Sequence, residues 1–574
     1  MKLPSAFEAE MKILLDGDYP LYADSLFHSP ARGLRVNEMK ISVAGFLALR
    51  KKYGLPDLER IPWVHDGFYV PDGEDAAGSP FYYAGLYYLQ DPSAMTPAEN
   101  LPVRAGDKIL DLCAAPGGKA TELLARLETA ERGSGRKSGI LYANDVSASR
   151  ARALRKNIER MGGTRVFVTA ETPERLAVHF PGYFDKILID APCSGEGMFR
   201  TQPAMMKHWE EEGPAYYAEL QETILEEAYR MLAPGGKILY STCTYSVIED
   251  EAMVERMLSR HADLAAEPMR EYSGFAHISA GKLMACLGKD RARAWGLTEE
   301  VLTERYGSME KELPYVRLYP HRVRGEGQFA ALIRKKNEDE NNALAGTSTE
   351  LLGGSETADS MADGKSLELT EAPNTERAIM LTESPADRQT SNLQKNSDDR
   401  MRQKISEEPP TAENAEMSVD PCADFHEFTS GGEVHLLPDG YRPSPGLHYL
   451  LTGVHKGTER EGGLIPSQSY AMTRSAASWK DVIDLSADDV RAMKYLRGET
   501  LLLTDEEMKT APAREPAKKK KKAGAAGRAG RTEKKAGKGK QDITLITVDG
   551  FPLGFGKRNG PRLKNGLAPG WRKL

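Results

Sequence analysis

The chain has 574 residues, 40% of them hydrophobic and 28% charged, with a formal net charge of −7. At roughly 150 residues per domain this is about three or four segments rather than one domain. No run nears the ~18 apolar residues that span a bilayer. The opening MKLPSAFEAEMKILL puts acids and a proline where a signal peptide is continuously apolar, so the sequence reads as a cytoplasmic protein with no membrane partner. Five cysteines without a CxxC pair make neither a disulfide framework nor a zinc cluster, and no metal is expected.

Residues 1–100 mix a helical start with aromatic stretches, WVHDGFYV and SPFYYAGLYYLQDPSAM. From 101 to 336 strands and helices alternate. KILDL is followed by a helix over Lys119–Leu127, ILYAN by a helix from Ser147 to Met161, and then come the strands RVFVT and DKILID. A long helix over Ala215–Leu232 leads through Pro-Gly-Gly into the strand KILYSTC. YVRLYPH and QFAALIRKK flank RVRGEG as a closing hairpin. This alternation, with strands apolar on both faces, predicts an α/β fold around a mostly parallel sheet. Residues 337–420 hold 19 acids against 7 bases and no aromatic residue, which predicts a disordered linker. Order resumes near Asp424 and stops at the Lys/Ala/Gly-rich run 513–541. From 514 to 540 there are 12 bases against 2 acids. Residues 421–574 therefore read as one small domain interrupted by a basic insertion, and nothing in the sequence points away from a monomer.

Four motifs carry chemistry. Asp111-Leu-Cys-Ala-Ala-Pro-Gly-Gly-Lys119 joins strand to helix, where small residues let the backbone approach a ligand and a helix N-terminus offers unpaired N–H groups. Alone it is equally a tight structural turn; it is neither GxGxxG nor a P-loop. Asp145 ends the second strand, where an acid would hold a ribose or cap the next helix. Asp190-Ala-Pro-Cys193-Ser-Gly-Glu-Gly197 and Ser241-Thr-Cys243-Thr-Tyr245 each follow an apolar strand directly. In open α/β sheets ligands bind beyond the carboxyl ends of the strands, and Cys113, Asp145, Asp190, Cys193 and Cys243 all fall there. A lone cysteine is usually a small buried hydrophobe, the reading given to Cys286 and Cys422. Two at polar, Gly- or Thr-flanked strand ends are hard to explain as packing.

One reaction needs these parts together. Carbon 5 of cytosine becomes nucleophilic when a thiolate adds to carbon 6, an acid near N3 stabilises the charge that builds, and a second group assists release. The residues alone leave open which cysteine attacks.

CAAPGGK, DAPCSGEGMFR and STCTYS, in this order, resemble the Nop/Sun family of RNA cytosine-5 methyltransferases, as do RGLRVN and QDPSAM. The resemblance covers nearly everything outside the two low-complexity segments. It implies a Rossmann-like, seven-stranded S-adenosylmethionine methyltransferase core, an RNA-binding N-terminal extension and a PUA-like RNA-binding C-terminal domain. It further implies that Cys243 is the nucleophile, that Cys193 aids release and that Asp190 contacts the base near N3. Cys113, Ala114, Ala115, Pro116, Gly117, Gly118 and Lys119 would line the cofactor site with Asp190. Asp145 would hold its ribose and Glu171 its adenine. The implied partner is rRNA, by family precedent of the small subunit. Gln328 stands where the family's usual GEGHF ending has His, and LKNGLAPGWR departs from the family's KNHYPKGLR-like ending.

Two other readings compete. In a DNA cytosine-5 methyltransferase Cys193 would attack, but Cys243 would then be unexplained and no target-recognition domain is evident. An RNA-binding ribosome assembly factor would use the basic tract for counterion release, although that tract is equally a solvated insertion. Intact paired cysteines favour chemistry.

Overall fold

A computed structural model describes residues 2–135, 138–337, 339–340, 422–461, 463–509 and 543–573. The acidic linker expected over 337–420, beyond its first residues, and the basic insertion expected over 513–541 lie outside the described residues. Among the described residues no helix is long and apolar enough to cross a membrane.

The N-terminal segment supplies the helix Ser5–Leu15 and a four-stranded antiparallel sheet. Its order is β2 (Glu59–Arg60), β3 (Gly67–Tyr69), β1 (Gly33–Val36), β4 (Tyr87–Gln90). The central sheet is α/β. Its parallel part runs β7 (Val166–Thr169), β6 (Ile140–Asn144), β5 (Lys108–Asp111), β8 (Phe184–Asp190), β9 (Leu232–Thr242). Every residue of β6 and β7 is buried, as the continuous apolar runs ILYAN and VFVT require when helices cover both faces. Antiparallel strands finish the β9 side: β12 (Gln328–Lys335) pairs with β9, and β10 (Leu264–Glu267) and β11 (Val316–Leu318) pair with β12. The hairpin expected around RVRGEG is thus β11–β12. Pro234-Gly235-Gly236, read from sequence as a turn before the strand, lies inside β9 instead. The register with β8 shifts there, and Gly235 takes a φ of +75°.

The sheet has nine strands, where seven were expected. One added strand comes from far along the chain. Residues 422–466 form a sheet of β13 (Phe425–Ser430), β14 (Glu433–Pro438), β16 (Val454–Arg460) and β17 (Gly463–Pro466). Between them β15 (Tyr449–Thr452) pairs antiparallel with β7, covering an apolar edge that would otherwise be open. The last sheet orders β18 (Val482–Leu485), β20 (Ile543–Val548), β21 (Phe551–Asn559), β22 (Arg562–Asn565), β19 (Leu501–Leu502). It shares a core with the N-terminal sheet: Leu34, Phe46, Phe68 and Tyr87 pack with Ile483, Tyr495, Ile546 and Leu563. The two ends of the chain therefore meet beside the catalytic sheet.

Candidate active site

β8 and β9 run in parallel with Asp190 opposite Ser241. The PC and TCT motifs follow at the carboxyl ends of these neighbouring strands and so emerge together. Cys193 Sγ and Cys243 Sγ lie 3.3 Å apart, in hydrogen-bond reach and well beyond the ~2.05 Å of a disulfide. Cys193 is buried and Cys243 half-buried. The hydrogen bond with Cys243 and then burial push the Cys193 thiol well above its ordinary range. Cys193 is the deeper of the two sulfurs and Cys243 the more exposed.

Buried polar groups fix both loops. Gln221 donates to the Pro192 carbonyl (2.9 Å) and Glu249 accepts from the Ser194 amide (2.9 Å), while the Ser194 and Thr244 hydroxyls join the two loops at 2.7 Å. Glu196 accepts from the Tyr245 amide (2.9 Å) and Trp209 Nε1 (2.8 Å). Burial, then the nearby Glu10, pushes the Glu196 carboxyl up to about 7. The Gly197 amide donates to the Cys243 carbonyl at 2.9 Å. A Cβ at Gly197 would stand 2.7 Å from that carbonyl and 2.8 Å from the Gly327 Cα, so two backbones forbid a side chain. Arg317, wholly buried, donates to the Tyr245 carbonyl (2.8 Å) and Glu251 Oε1 (2.7 Å), and lies 3.1 Å from Asp250. Asp250 in turn accepts from the Thr242 hydroxyl at 2.6 Å.

Beside the thiols opens a cleft of about 210 Å³. Gln90, Asp111, Cys113, Ala114, Ala115, Pro116, Gly118, Lys119 and Asp190 line it with Tyr88, Leu89 and Ala94. Gly117, at φ +113°, turns the chain into the helix Gly118–Ser134. A Cβ at Gly118 would lie 3.0 Å from the Gln90 side chain and fill the cradle. Lys119 Nζ donates to Asp190 Oδ2 at 2.7 Å; burial lowers the Lys119 pKa, but Asp190 outweighs it and the net shift is upward. Ser241 (2.9 Å) and Gln328 (3.4 Å) donate to Asp190 Oδ1. Asp111 is buried in the cleft wall and neither carboxylate oxygen makes a well-formed hydrogen bond. Burial and then Asp190 push it well above the carboxylate range, against a small opposing contribution from the Cys113 amide. Such an orphaned acid fits a cationic ligand. A larger cleft, about 480 Å³, lies around Arg256, Arg260, Trp295 and Arg305 and contains none of the four motifs. Its arginines are already paired with Glu222, Glu226 and Glu255.

Residues 98–334 match the family model described as 16S rRNA methyltransferase RsmB/F. Residues 3–92 match the N-terminal domain of 16S rRNA methyltransferase RsmF, and 526–573 the methyltransferase RsmF PUA domain. Three segments of the chain are thus similar to parts of the RsmB/F methyltransferases. It is similar to the ribosomal RNA small subunit methyltransferase F of Serratia proteamaculans, 34% identical over 48% of this chain and 60% of that protein. Against the protein of that name from Escherichia coli O9:H4 it is 40% identical over 43% of this chain and 53% of the relative. The chain thus spans about half the length of the curated relatives it matches. A methyltransferase homolog protein from Pyrococcus horikoshii, solved by crystallography, is 26% identical with a TM-score of 0.44, covering 58% of this chain and 99% of that one.

Cys113 to Lys119, Asp190, Cys193 and Cys243 cluster. Asp145 directly follows β6, its carboxylate engaged by the Ser147 amide (3.0 Å) and by Arg150 (3.3 Å). Glu171 stands apart from the cleft lining. Its oxygens take the His448 amide (2.5 Å) and Arg175 Nε (2.7 Å), binding it to the segment that leads into β15. Sequence reading assigned no role to Asp111, though the residue opens the first motif; its burial without a partner was invisible there. Arg317 was read only as part of an apolar strand, and Gln328 as a departure from the family pattern without a role.

Two outcomes follow from these supports. Arg317→Met leaves Asp250 and Glu251 buried without their counter-charge, a loss of ~3–5 kcal/mol that urea denaturation would register. Gly197→Ala should push the TCT loop outward, so Cys243 should be alkylated by iodoacetamide faster than in the parent protein.

Proposed function

We propose that this chain is an S-adenosylmethionine-dependent RNA methyltransferase that forms 5-methylcytosine in rRNA, of the small subunit by likeness to its relatives, in the cytoplasm. The observation that carries the reading is the pair of thiols 3.3 Å apart beside an acid-walled cleft. Residues Cys113 to Lys119, with Asp111 and Asp190, would hold the cofactor, whose amino and sulfonium groups are cationic; Asp145 is the proposed ribose partner and Glu171 a weaker candidate for adenine. When bound, S-adenosylmethionine supplies an electrophilic methyl group.

The chain's own residues do the rest. A cytosine unstacked from the RNA enters beside the two cysteines, at a cost of a few kcal/mol met by contacts elsewhere on the protein. Cys243 adds as a thiolate to carbon 6, and the ring's electron pair moves to carbon 5, which takes the methyl. Asp190, fixed by Lys119, Ser241 and Gln328, is the proposed contact to N3 as charge builds. Loss of the carbon-5 proton restores the double bond and expels the Cys243 thiolate. Cys193 suits that last step. Its sulfur lies 3.3 Å from that of Cys243 and so stands beside the adduct. The N-terminal segment and the C-terminal domain, sharing one core, are the proposed RNA grip.

Cys243→Ala should abolish transfer of labelled methyl to rRNA and leave cofactor binding intact. Cys193→Ala should accumulate a covalent protein–RNA adduct that migrates slowly on a denaturing gel. An adduct with Cys243→Ala and none with Cys193→Ala would reverse the roles. A pH dependence belongs to Asp111. Its carboxyl holds a proton above the ordinary carboxylate range, and a cationic ligand favours the ionised form, so binding releases that proton. Cofactor affinity should therefore rise with pH through the raised Asp111 pKa. Asp111→Asn should bind about tenfold or more weakly and lose that slope, as calorimetric titration at several pH values would show.

A further inference from the structure

Away from the thiols, a second group of ionisable side chains gathers where the N-terminal segment meets the catalytic domain, with Asp66 buried at its base. Glu38, His65 and Asp66 bring a carboxylate oxygen, a ring nitrogen and a carboxylate oxygen within 4.8 Å of one another. His65 Nε2 lies 2.8 Å from Glu38 Oε2, and its Nδ1 lies 2.9 Å from Glu99 Oε2. An imidazolium between Glu38 and Glu99 would account for those two contacts. It does not account for Asp66. That side chain is 2% exposed, with Oδ2 3.7 Å from Arg35 and Oδ1 without a hydrogen-bond partner. Oδ1 points into the group, 3.8 Å from His65 Nδ1.

Glu38, Asp66, Glu99 and Glu122 converge here around His65. Arg35, wholly buried, is shared between Asp66 and Glu122 (3.4 Å). Arg126 and Arg270 stand 3.8 and 3.9 Å from Glu99, and Arg132 donates to the Glu38 carbonyl. Asp66 Oδ1 takes a hydrogen bond from none of these cations.

We propose that Glu38, His65 and Asp66 bind a divalent cation of the zinc or manganese class, which braces the N-terminal segment where it faces the catalytic domain. One imidazole nitrogen with two carboxylates suits these borderline ions better than calcium or magnesium, which favour oxygen ligands. The other ring nitrogen keeps a carboxylate partner, the arrangement that orients metal-bound histidines. Arg35, 3.7 Å from Asp66, donates across the seam to the Gly118 carbonyl (3.2 Å) and the Thr121 hydroxyl (3.0 Å). The site therefore sits behind the helix turn that walls the cofactor cleft. The proposal does not depend on the methyl-transfer reading.

The test uses the full chain, stripped with EDTA, freed of chelator and titrated with zinc or manganese, with metal content and melting temperature measured. A single retained equivalent and a rise in Tm of about 3 °C or more are expected. His65→Gln and Asp66→Asn should each lose both effects. Without metal, Asp66→Asn should melt no lower than the parent, since it replaces a buried carboxylate whose Oδ1 has no hydrogen-bond partner. His65 is half-exposed, so His65→Gln tests the site even if Asp66→Asn folds poorly. No retained metal and an unchanged Tm would overturn the site. Equal binding by His65→Gln would overturn it too, by placing the ion elsewhere, for example on the paired cysteines.

Discussion

The lateral register of β8 and β9 is the constraint from which the site is built. With Asp190 opposite Ser241, the chain leaves adjacent strands at the same height and brings two cysteines fifty residues apart in sequence to 3.3 Å. A register shift of one residue would turn one motif toward the opposite face of the sheet. β12 adds to the constraint from the other side, pairing Phe329 with Thr242 and so setting Gly327 against Gly197 and Tyr245. Around this junction Glu196, Glu249 and Arg317 are buried and engaged with backbone groups of the loops. Buried charges of this kind are weak devices for stability. Here each ties a loop carrying a cysteine to one position, which is what a reaction between fixed atoms demands.

The parallel strands and the motifs at their ends were legible because both are local signals: an apolar run, then small or reactive residues. What escaped the sequence is what depends on residues distant along the chain. YLLT at 449–452 reads as an apolar stretch of a C-terminal domain, and nothing local says that it completes the edge of β7. Glu171 looked free to meet a ligand, but its partners are His448 and Arg175, the first of them 277 residues away. Asp111 could be placed at a strand end, while its lack of a partner is a property of the packed cleft. Arg317 in YVRLYPH alternates like any strand residue, and only the fold reveals a fully buried guanidinium beneath the TCT loop. The Pro-Gly-Gly stretch misled for the opposite reason: its local turn character is absorbed by β9 as an irregularity beside β8.

The three strand-end cysteines show how position and electrostatics divide the labour. Cys113 follows β5 as Cys193 and Cys243 follow β8 and β9, yet burial, followed by Asp145, Asp111 and Asp190, drives its thiol far upward. The acids that suit the cleft to a cation thus add to what burial does to its own cysteine. Lys119, from the glycine-rich turn, is held by Asp190, and its ammonium also interacts electrostatically with Asp111 and Cys243. The conjunction of CAAPGGK with PC and TCT motifs has its physical reason here: the first supplies the positive charge, and the other two place the thiols beside it.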